Sequence, residues 1–115
     1  MFKYQTTHTF EQRVRESARI RSTFKDRLPI IIEINPKSDL PPLTKYKYLV
    51  PVDMTLGQFA YIVFKKMKLP PEKAIFIFVN NSIHKTEAMV SELYRQHKNE
   101  DGFLYCMIQT EEAFG

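Results

Sequence analysis

Few residues in this sequence could perform catalysis or hold a metal ion. There is one cysteine, Cys106, and the three histidines, His8, His84 and His97, lie far apart in the chain. Their spacing matches no zinc-ligand pattern. Cys106 lies in the apolar run FLYCMI, where a free cysteine usually packs as a small hydrophobic residue. The sequence shows no serine–histidine–carboxylate arrangement, so we predict no catalytic residue, no cofactor, no metal site and no enzymatic activity.

The other chemically notable residue is Gly115, the last in the sequence. It follows a polar, acidic stretch, TEEAF. Glycine has no Cβ, so its carboxylate is unhindered and its backbone can pass through a narrow channel. Both properties suit a carboxyl group that another enzyme activates and transfers to an amine. A chance or artificially chosen end of the chain is the alternative explanation.

The composition indicates one globular domain. The 115 residues are 43% hydrophobic, and 17 Lys and Arg against 13 Asp and Glu give a net charge of +4. This excess suits acidic peptides or anionic lipid but is too small to indicate nucleic-acid binding. No apolar run reaches the roughly 18 residues of a membrane span, and no signal peptide is present. We expect a protein of the cytoplasm that is a monomer in solution.

Hydrophobic periodicity predicts three main helices, with a short one before the first. The first, Phe10–Phe24, has a narrow apolar stripe with Ile20 at its half-exposed margin. The second lies within Asp53–Lys68, where Thr55 is the N-cap of a capping box. Thr86 is predicted to cap the third. The stripe of the first helix consists of Phe10, Val14, Ser17, Ala18, Arg21 and Phe24.

Four segments rich in β-branched or aromatic residues are predicted as strands. They are Leu28–Ile34, Lys45–Val52, Ala74–Val79, which we expect to be buried, and Phe103–Gln109. Pro51 cannot donate to a ladder, so its strand is predicted to lie at an edge. The element order predicts an α+β fold of the β-grasp type, with a four-stranded mixed sheet. Its parts are a helical extension (1–24), the β-grasp core (25–110) and a tail (111–115).

An apolar and basic edge of this sheet is the candidate binding surface. If the alternate isoleucines at 30, 32 and 34 face the core, Pro29 and Ile31 point outward beside Lys47 and Leu49. An edge strand beside apolar pockets suits an extended peptide that adds a strand to the sheet. The alternative is a solvated edge whose lysines only prevent aggregation. The basic residues that would attract acidic flanks of a peptide are Arg27, Lys45 and Lys47.

Read together, these blocks resemble the ubiquitin-like autophagy modifiers, the family of autophagy-related protein eight and the GABA-receptor-associated protein. The resemblance covers nearly the whole chain. Its blocks are FEQRVRES with Ile20-Arg21, Asp26 to Pro29, KYLVP, Leu56 to Phe59, LPPEKAIFIFVNN, Leu93-Tyr94, DGFLY and Phe114-Gly115. It implies a ubiquitin-like β-grasp core preceded by two additional N-terminal helices.

The resemblance implies a covalent modifier. Activating and conjugating enzymes would transfer the Gly115 carboxylate to phosphatidylethanolamine, and a cysteine protease would process or delipidate the protein. The lipidated form would lie on phagophore and autophagosome membranes. There it would recruit cargo receptors and adaptors that carry aromatic-x-x-aliphatic motifs.

The resemblance also assigns two peptide pockets. Pocket one, for the aromatic residue, comprises Glu16, Ile20, Pro29, Ile31, Lys47, Leu49 and Phe103. Pocket two, for the aliphatic residue, comprises Tyr48, Val50, Pro51, Met54, Phe59 and Ile62. The residues assigned to acidic flanks are Arg27, Lys45 and Lys66, the last of which replaces the usual arginine.

Three departures from the family pattern affect local structure. Thr9 replaces a proline, so we expect a looser junction before the long helix. Phe64 replaces an arginine and adds apolar surface near Lys66. His84-Lys85 replaces a common Pro-Pro pair, which should make that loop more mobile and more basic.

Two other functions use the N-terminal helices. One is a non-conjugated ubiquitin-like adaptor that links cargo or receptors to the cytoskeleton through a basic helix surface. The other is RNA binding, but the sequence lacks the interleaved aromatic residues of a stacking platform. The arginines concerned are Arg13, Arg15, Arg19 and Arg21.

Overall fold

The computed structural model describes residues 2–69, 72 and 74–110. Within that part of the chain, the order of helices and strands is the predicted one. The elements are α1 (Lys3–Thr7), α2 (Phe10–Thr23), β1 (Arg27–Ile34), β2 (Lys47–Pro51), α3 (Leu56–Met67), β3 (Ile75–Val79), α4 (Val90–His97) and β4 (Leu104–Thr110). No helix in these ranges is long and apolar enough to cross a membrane.

The sheet is mixed, as predicted, with the strand order β2-β1-β4-β3. The central strands β1 and β4 are parallel, and each pairs with its outer neighbour in the antiparallel sense. The edge position predicted for β2 is confirmed. The strand predicted at Ala74–Val79 is present as β3, but its predicted burial is wrong, because β3 is the other edge and only Val79 in it is fully buried.

Both faces of the sheet are covered. One face carries Ile30 and Ile32, which pack with residues of α3 and α4 in the larger hydrophobic core. The opposite face of the same strand carries Ile31, which belongs to a second cluster beneath α1 and α2. That second cluster consists of Tyr4, Ile20, Ile31, Phe103 and Tyr105. The N-terminal helices therefore cover a face of the sheet that would otherwise be exposed to solvent.

The inward face of α2 differs from the predicted stripe. Ile20, expected at a half-exposed margin, is 1% exposed, whereas Phe10 is 46% and Phe24 is 36% exposed. The residue that shares burial with Ile20 is Ser17, whose hydroxyl donates to the carbonyl of Asp101. Ser17 is the one member of the predicted stripe that is fully buried, and the buried side of α2 is rotated toward Ile20 because the helix contacts the domain partly through polar groups.

Capping chemistry explains where the two long helices begin. Thr55 caps α3 in the predicted capping box, with its hydroxyl accepting from the Gln58 N–H. Thr9 caps α2 in the same way. The structure therefore does not support the looser junction expected from Thr9, since the hydroxyl replaces the missing proline with a local hydrogen bond.

The predicted cap of α4 is wrong. The helix begins at Val90 with Met89 as its N-cap, and Thr86 lies in the preceding turn. The Thr86 carbonyl instead accepts from the N–H of Gly57 at 2.9 Å. A Cβ on Gly57 would lie 3.1 Å from the Thr86 Cβ, which is a tight contact, so the close approach of the two segments favours glycine.

Candidate peptide-binding edge

Two hydrogen bonds establish which backbone groups of β2 face outward. Ile32 N–H donates to the Tyr46 carbonyl at 2.8 Å, and Val52 N–H donates to the Asp26 carbonyl at 3.0 Å. Antiparallel partners alternate between bonded and non-bonded pairs, so residues 46, 48, 50 and 52 turn their backbone groups toward β1. The N–H and carbonyl groups of Lys47 and Leu49 therefore point toward the open edge, followed by the carbonyl of Pro51.

The structure brings the pocket-one residues together, but as a filled cluster. Ile20, Ile31 and Phe103 are each at most 1% exposed and belong to the cluster beneath α2, against which Leu49 packs. Pro29 is also buried. The prediction that Pro29 and Ile31 are exposed to solvent is therefore wrong. They do lie on the face opposite Ile30, and α2 covers that face.

An ion pair crosses the outer side of this cluster. Lys47 Nζ lies 2.6 Å from Glu16 Oε2, which joins β2 to α2. Arg19 Nε lies 2.8 Å from the other Glu16 oxygen. The hydrogen bonds from Arg19 and Lys47 lower the pKa of the Glu16 carboxyl from 4.5 to about 2. At neutral pH the Glu16–Lys47 ion pair thus lies across the outside of pocket one.

Three of the pocket-two residues, Pro51, Met54 and Ile62, line an open groove between the end of β2 and α3. The other three, Tyr48, Val50 and Phe59, are buried in the core, where the Tyr48 and Phe59 rings meet edge to face at 5.7 Å. The groove has a volume of about 630 Å³. Its walls include the predicted Pro51, Met54 and Ile62, and also Asp53, Gly57, Gln58 and Tyr61, which sequence reasoning missed. Tyr61 lies one helical turn after Gly57 and Gln58 in α3, so helical spacing alone could have identified it.

The predicted acidic-flank residues lie at two separate places. Lys45 Nζ is 4.8 Å and Lys66 Nζ 5.8 Å from the centroid of the Tyr48 ring. Arg27 pairs with Pro51 across the β1–β2 ladder, at the far end of β2. Positive charge therefore flanks the edge at both ends. Phe64, expected to add apolar surface, is partly buried against the core.

A buried carboxylate that sequence reasoning missed holds the α2 side in place. The Asp101 carboxylate accepts from the Arg13 guanidinium at 2.6 Å, from the Phe103 N–H at 2.9 Å and from the Tyr105 hydroxyl. Its own carbonyl accepts from Ser17. Burial and the hydrogen bond to Asp101 raise the pKa of the Tyr105 hydroxyl. The sequence Asp101-Gly102 gave only a turn signal.

The remaining candidates are outside the edge. Cys106 is fully buried in β4, as predicted, and burial raises the pKa of its thiol to about 12. Within the described ranges, no three His, Cys, Asp or Glu side chains are grouped to hold a metal ion. Gly115 lies outside the described residues.

Comparison with known proteins identifies the family. The sequence matches the family described as Autophagy protein Atg8 ubiquitin like over residues 12–115. The chain belongs to the Atg8 family. It is 52% identical to Autophagy-related protein 8 of Candida albicans over 113 residues, which are 98% of this chain and 84% of that protein. It is 50% identical to Autophagy-related protein 8 of Saccharomyces cerevisiae over 112 residues, 97% of this chain and 96% of that one.

The similarity extends to plants and trypanosomes. Autophagy-related protein 8d of Arabidopsis thaliana is 52% identical over 114 residues, 99% of this chain and 93% of that protein. The crystal structure of Trypanosoma brucei ATG8 superposes with a TM-score of 0.90 at 40% identity and covers 96% of both chains. The ubiquitin-like fold predicted for this Atg8-family chain is confirmed, and the chain is a ubiquitin-like protein of autophagy.

Proposed function

We propose that this Atg8-family chain is a lipid-conjugated modifier. Activating and conjugating enzymes join the carboxyl group of Gly115 to the amine of phosphatidylethanolamine, and a cysteine protease processes or delipidates the chain. The conjugate lies on phagophore and autophagosome membranes, and the unconjugated form lies in the cytoplasm. Family membership supports this proposal together with the unhindered carboxylate that a glycine offers.

We further propose that the β2 edge binds cargo receptors and adaptors through aromatic-x-x-aliphatic motifs. Side chains alternate between the faces of an extended strand, so residues three positions apart lie on opposite faces. A peptide paired with β2 would therefore direct its aromatic side chain toward Leu49 and α2, and its aliphatic side chain toward Met54 and α3. The observation that carries the proposal is this open edge with one apolar region on each of its faces.

The positions of the two regions also give the direction of the peptide. Lys47 and Leu49 come before Pro51 along β2, and the groove begins at Pro51. The aromatic residue precedes the aliphatic one in the motif, so the peptide runs parallel to β2. Acidic residues before the aromatic would meet Lys45 and Lys66, and acidic residues near the aliphatic end would meet Arg27.

Calorimetry with a Trp-x-x-Leu peptide tests the binding role. Leu49→Ala and Ile62→Ala each remove a side chain from one of the two regions, and we expect each to weaken binding at least about tenfold. Ile83→Ala is the matched control, because Ile83 is 58% exposed and lies outside the edge. Unchanged affinity in both edge variants, with circular dichroism showing intact folds, would refute the site.

A reconstituted conjugation reaction with phosphatidylethanolamine liposomes tests the modifier role. Gly115→Ala places a Cβ beside the reacting carboxyl, and we expect little or no conjugate. Ala113→Gly is the control and should be conjugated normally. Normal conjugation of the Gly115→Ala variant would contradict the proposed step and favour a non-conjugated adaptor.

A further inference from the structure

The last residues of β1 extend beyond the strand that pairs with it on one side. The β1–β2 ladder ends at the pair Ile31↔Lys47, and one further bond joins the Ile32 N–H to the Tyr46 carbonyl at 2.8 Å. β1 continues to Ile34, whereas β2 has no residue before Lys47. Ile34 therefore belongs to a strand whose neighbour on the β2 side has already left the sheet.

Two hydrogen bonds show which way the backbone of Ile34 points. The N–H of Ile32 points toward the β2 side, and the N–H of Asn35 donates to the Ile108 carbonyl of β4 at 2.8 Å. Alternate residues of a strand turn their backbone groups to the same side, so the Ile34 N–H and carbonyl point away from β4. Within the described residues, neither group forms a hydrogen bond. Because backbone donors and acceptors are nearly always paired, water or a ligand must supply the partner.

The cavity beside Ile34 has a volume of about 380 Å³. Tyr4 of α1 lines one side of it, and Pro42, Leu43 and Tyr46 of the segment before β2 line another. Proline has no N–H, so Pro42 cannot donate to a ladder with β1. The volume falls within the range of ligand pockets. The segment that approaches β1 here thus leaves a space instead of completing the sheet.

The charges around this cavity are balanced. Lys3 and Glu33 both line it. The two Glu33 carboxylate oxygens accept from the N–H groups of Lys3 and Tyr4 at 2.7 and 2.9 Å, which directs this charge toward the start of α1. With one charge of each sign and several apolar side chains in the lining, the cavity favours an uncharged, apolar group.

We propose that this cavity binds an extended peptide segment of a partner protein, which adds a short strand beside Ile34. The segment would accept from the Ile34 N–H and donate to the Ile34 carbonyl, while one of its apolar side chains contacts Tyr4 and Leu43. An unpaired donor and acceptor on one strand residue, with apolar side chains beside them, are the requirements of strand addition. The site is separate from the β2 edge, because its backbone groups belong to β1.

An NMR titration of the full chain with the neutral probe acetyl-Thr-Val-Thr-Val-Thr-amide tests the proposal. We expect saturable shifts at the Ile34 N–H, and hydrogen exchange there at least about tenfold slower with the probe bound. Tyr46→Ala removes a side chain from the cavity lining and should weaken binding at least about tenfold. Phe10→Ala is the matched control, because Phe10 is 46% and Tyr46 43% exposed and Phe10 lies outside the cavity. It should bind the probe as the parent does.

Two further measurements make the result specific to backbone pairing at this site. A probe methylated on its central amide nitrogens keeps its side chains but cannot donate to the Ile34 carbonyl, and we expect it not to bind. An excess of a Trp-x-x-Leu peptide should not displace the original probe. Equal binding of the methylated probe, displacement by the Trp-x-x-Leu peptide, or an Ile34 N–H that only water contacts at millimolar probe would overturn the proposal. Shifts at Ile34 that follow protein concentration without the probe would also overturn it, because they would indicate a second copy of the chain as the occupant.

Discussion

The two apolar regions beside β2 differ in how the chain covers them. On the α2 side, Ile20, Ile31 and Phe103 are buried beneath the N-terminal helices, with Lys47 and Glu16 paired across the outside. On the α3 side, the chain leaves an open groove of about 630 Å³. A ligand can therefore enter the groove without moving the core, whereas entry on the α2 side requires side chains to shift first.

The two sides also differ in the interactions that attach their helices to the sheet. The α3 side rests on apolar packing, in which the Phe59 and Tyr48 rings meet edge to face within the core. The α2 side adds a polar attachment, since Arg13 and Ser17 both bond to Asp101. The N-terminal helices are thus attached by groups whose loss would leave buried charge unpaired, which makes them sensitive to single substitutions.

The largest effect is expected at that attachment. Asp101→Ala leaves the mostly buried Arg13 charge and the Tyr105 hydroxyl without their acceptor, and should lower the free energy of unfolding by roughly 3–5 kcal/mol. Urea unfolding measures the change. Glu92→Ala, which removes the exposed pair with Arg95, is the control and should change stability by less than about 0.5 kcal/mol. Similar losses in the two variants would mean that Asp101 does not anchor α2.

A matched pair of isoleucines tests the contrast between the sealed and the open side. Ile20 is 1% exposed and Ile62 is 38% exposed, and both are helical residues assigned to the peptide site. Ile20→Ala should destabilise the fold by about 2–4 kcal/mol through a buried cavity. Ile62→Ala should change stability by less than about 1 kcal/mol. Equal losses in thermal or urea unfolding would show that the two sides do not differ.

The two N-terminal caps should matter equally on the two sides. Thr9→Ala removes the cap of α2 and Thr55→Ala removes that of α3, and each should cost about 1 kcal/mol. Thr6→Ala provides a reference, because its exposed hydroxyl only bonds the Lys3 carbonyl within α1. A Thr9→Ala variant as stable as the parent would indicate that the N-terminal helices need no local cap.

The smallest effect is expected at the Glu16–Lys47 contact. The lowered Glu16 pKa means that its contribution to stability is present above about pH 4.5 and is lost as pH falls toward 2. Glu16→Gln should therefore lower stability at pH 7 by about 0.2–1 kcal/mol, with the difference shrinking at pH 2–3. Urea unfolding at both pH values measures it, and a difference that grows in acid would contradict the assigned pair.

Local chemistry in the sequence predicted much of the candidate binding edge. Pro51 indicated an edge strand, and the capping box at Thr55 located the helix that forms the groove. The family resemblance then grouped side chains that the structure does bring together. It did not reveal that the aromatic pocket is filled, because burial of Ile31 depends on a helix that precedes it by several residues and folds back over the sheet.

Asp101 shows most clearly what the local sequence cannot predict. Its turn with Gly102 was evident, yet its bond to Arg13 joins residues 88 positions apart. Nothing in either local sequence specifies that contact. Thr86 shows the same limit. A threonine before an apolar periodic segment resembles an N-cap, but in the structure the Thr86 carbonyl accepts a hydrogen bond from the distant Gly57 N–H.

By itself, the sequence determined the type and order of the elements, the cap of α3, the apolar alternation of β1 and the family of the chain. These follow from short-range periodicity, side-chain hydrogen bonds to nearby backbone and matching sequence blocks. The tertiary structure alone decided which face of β1 is sealed, which side of α2 turns inward and where Asp101 meets Arg13. These depend on contacts between distant segments, whose geometry is set by how the whole chain packs.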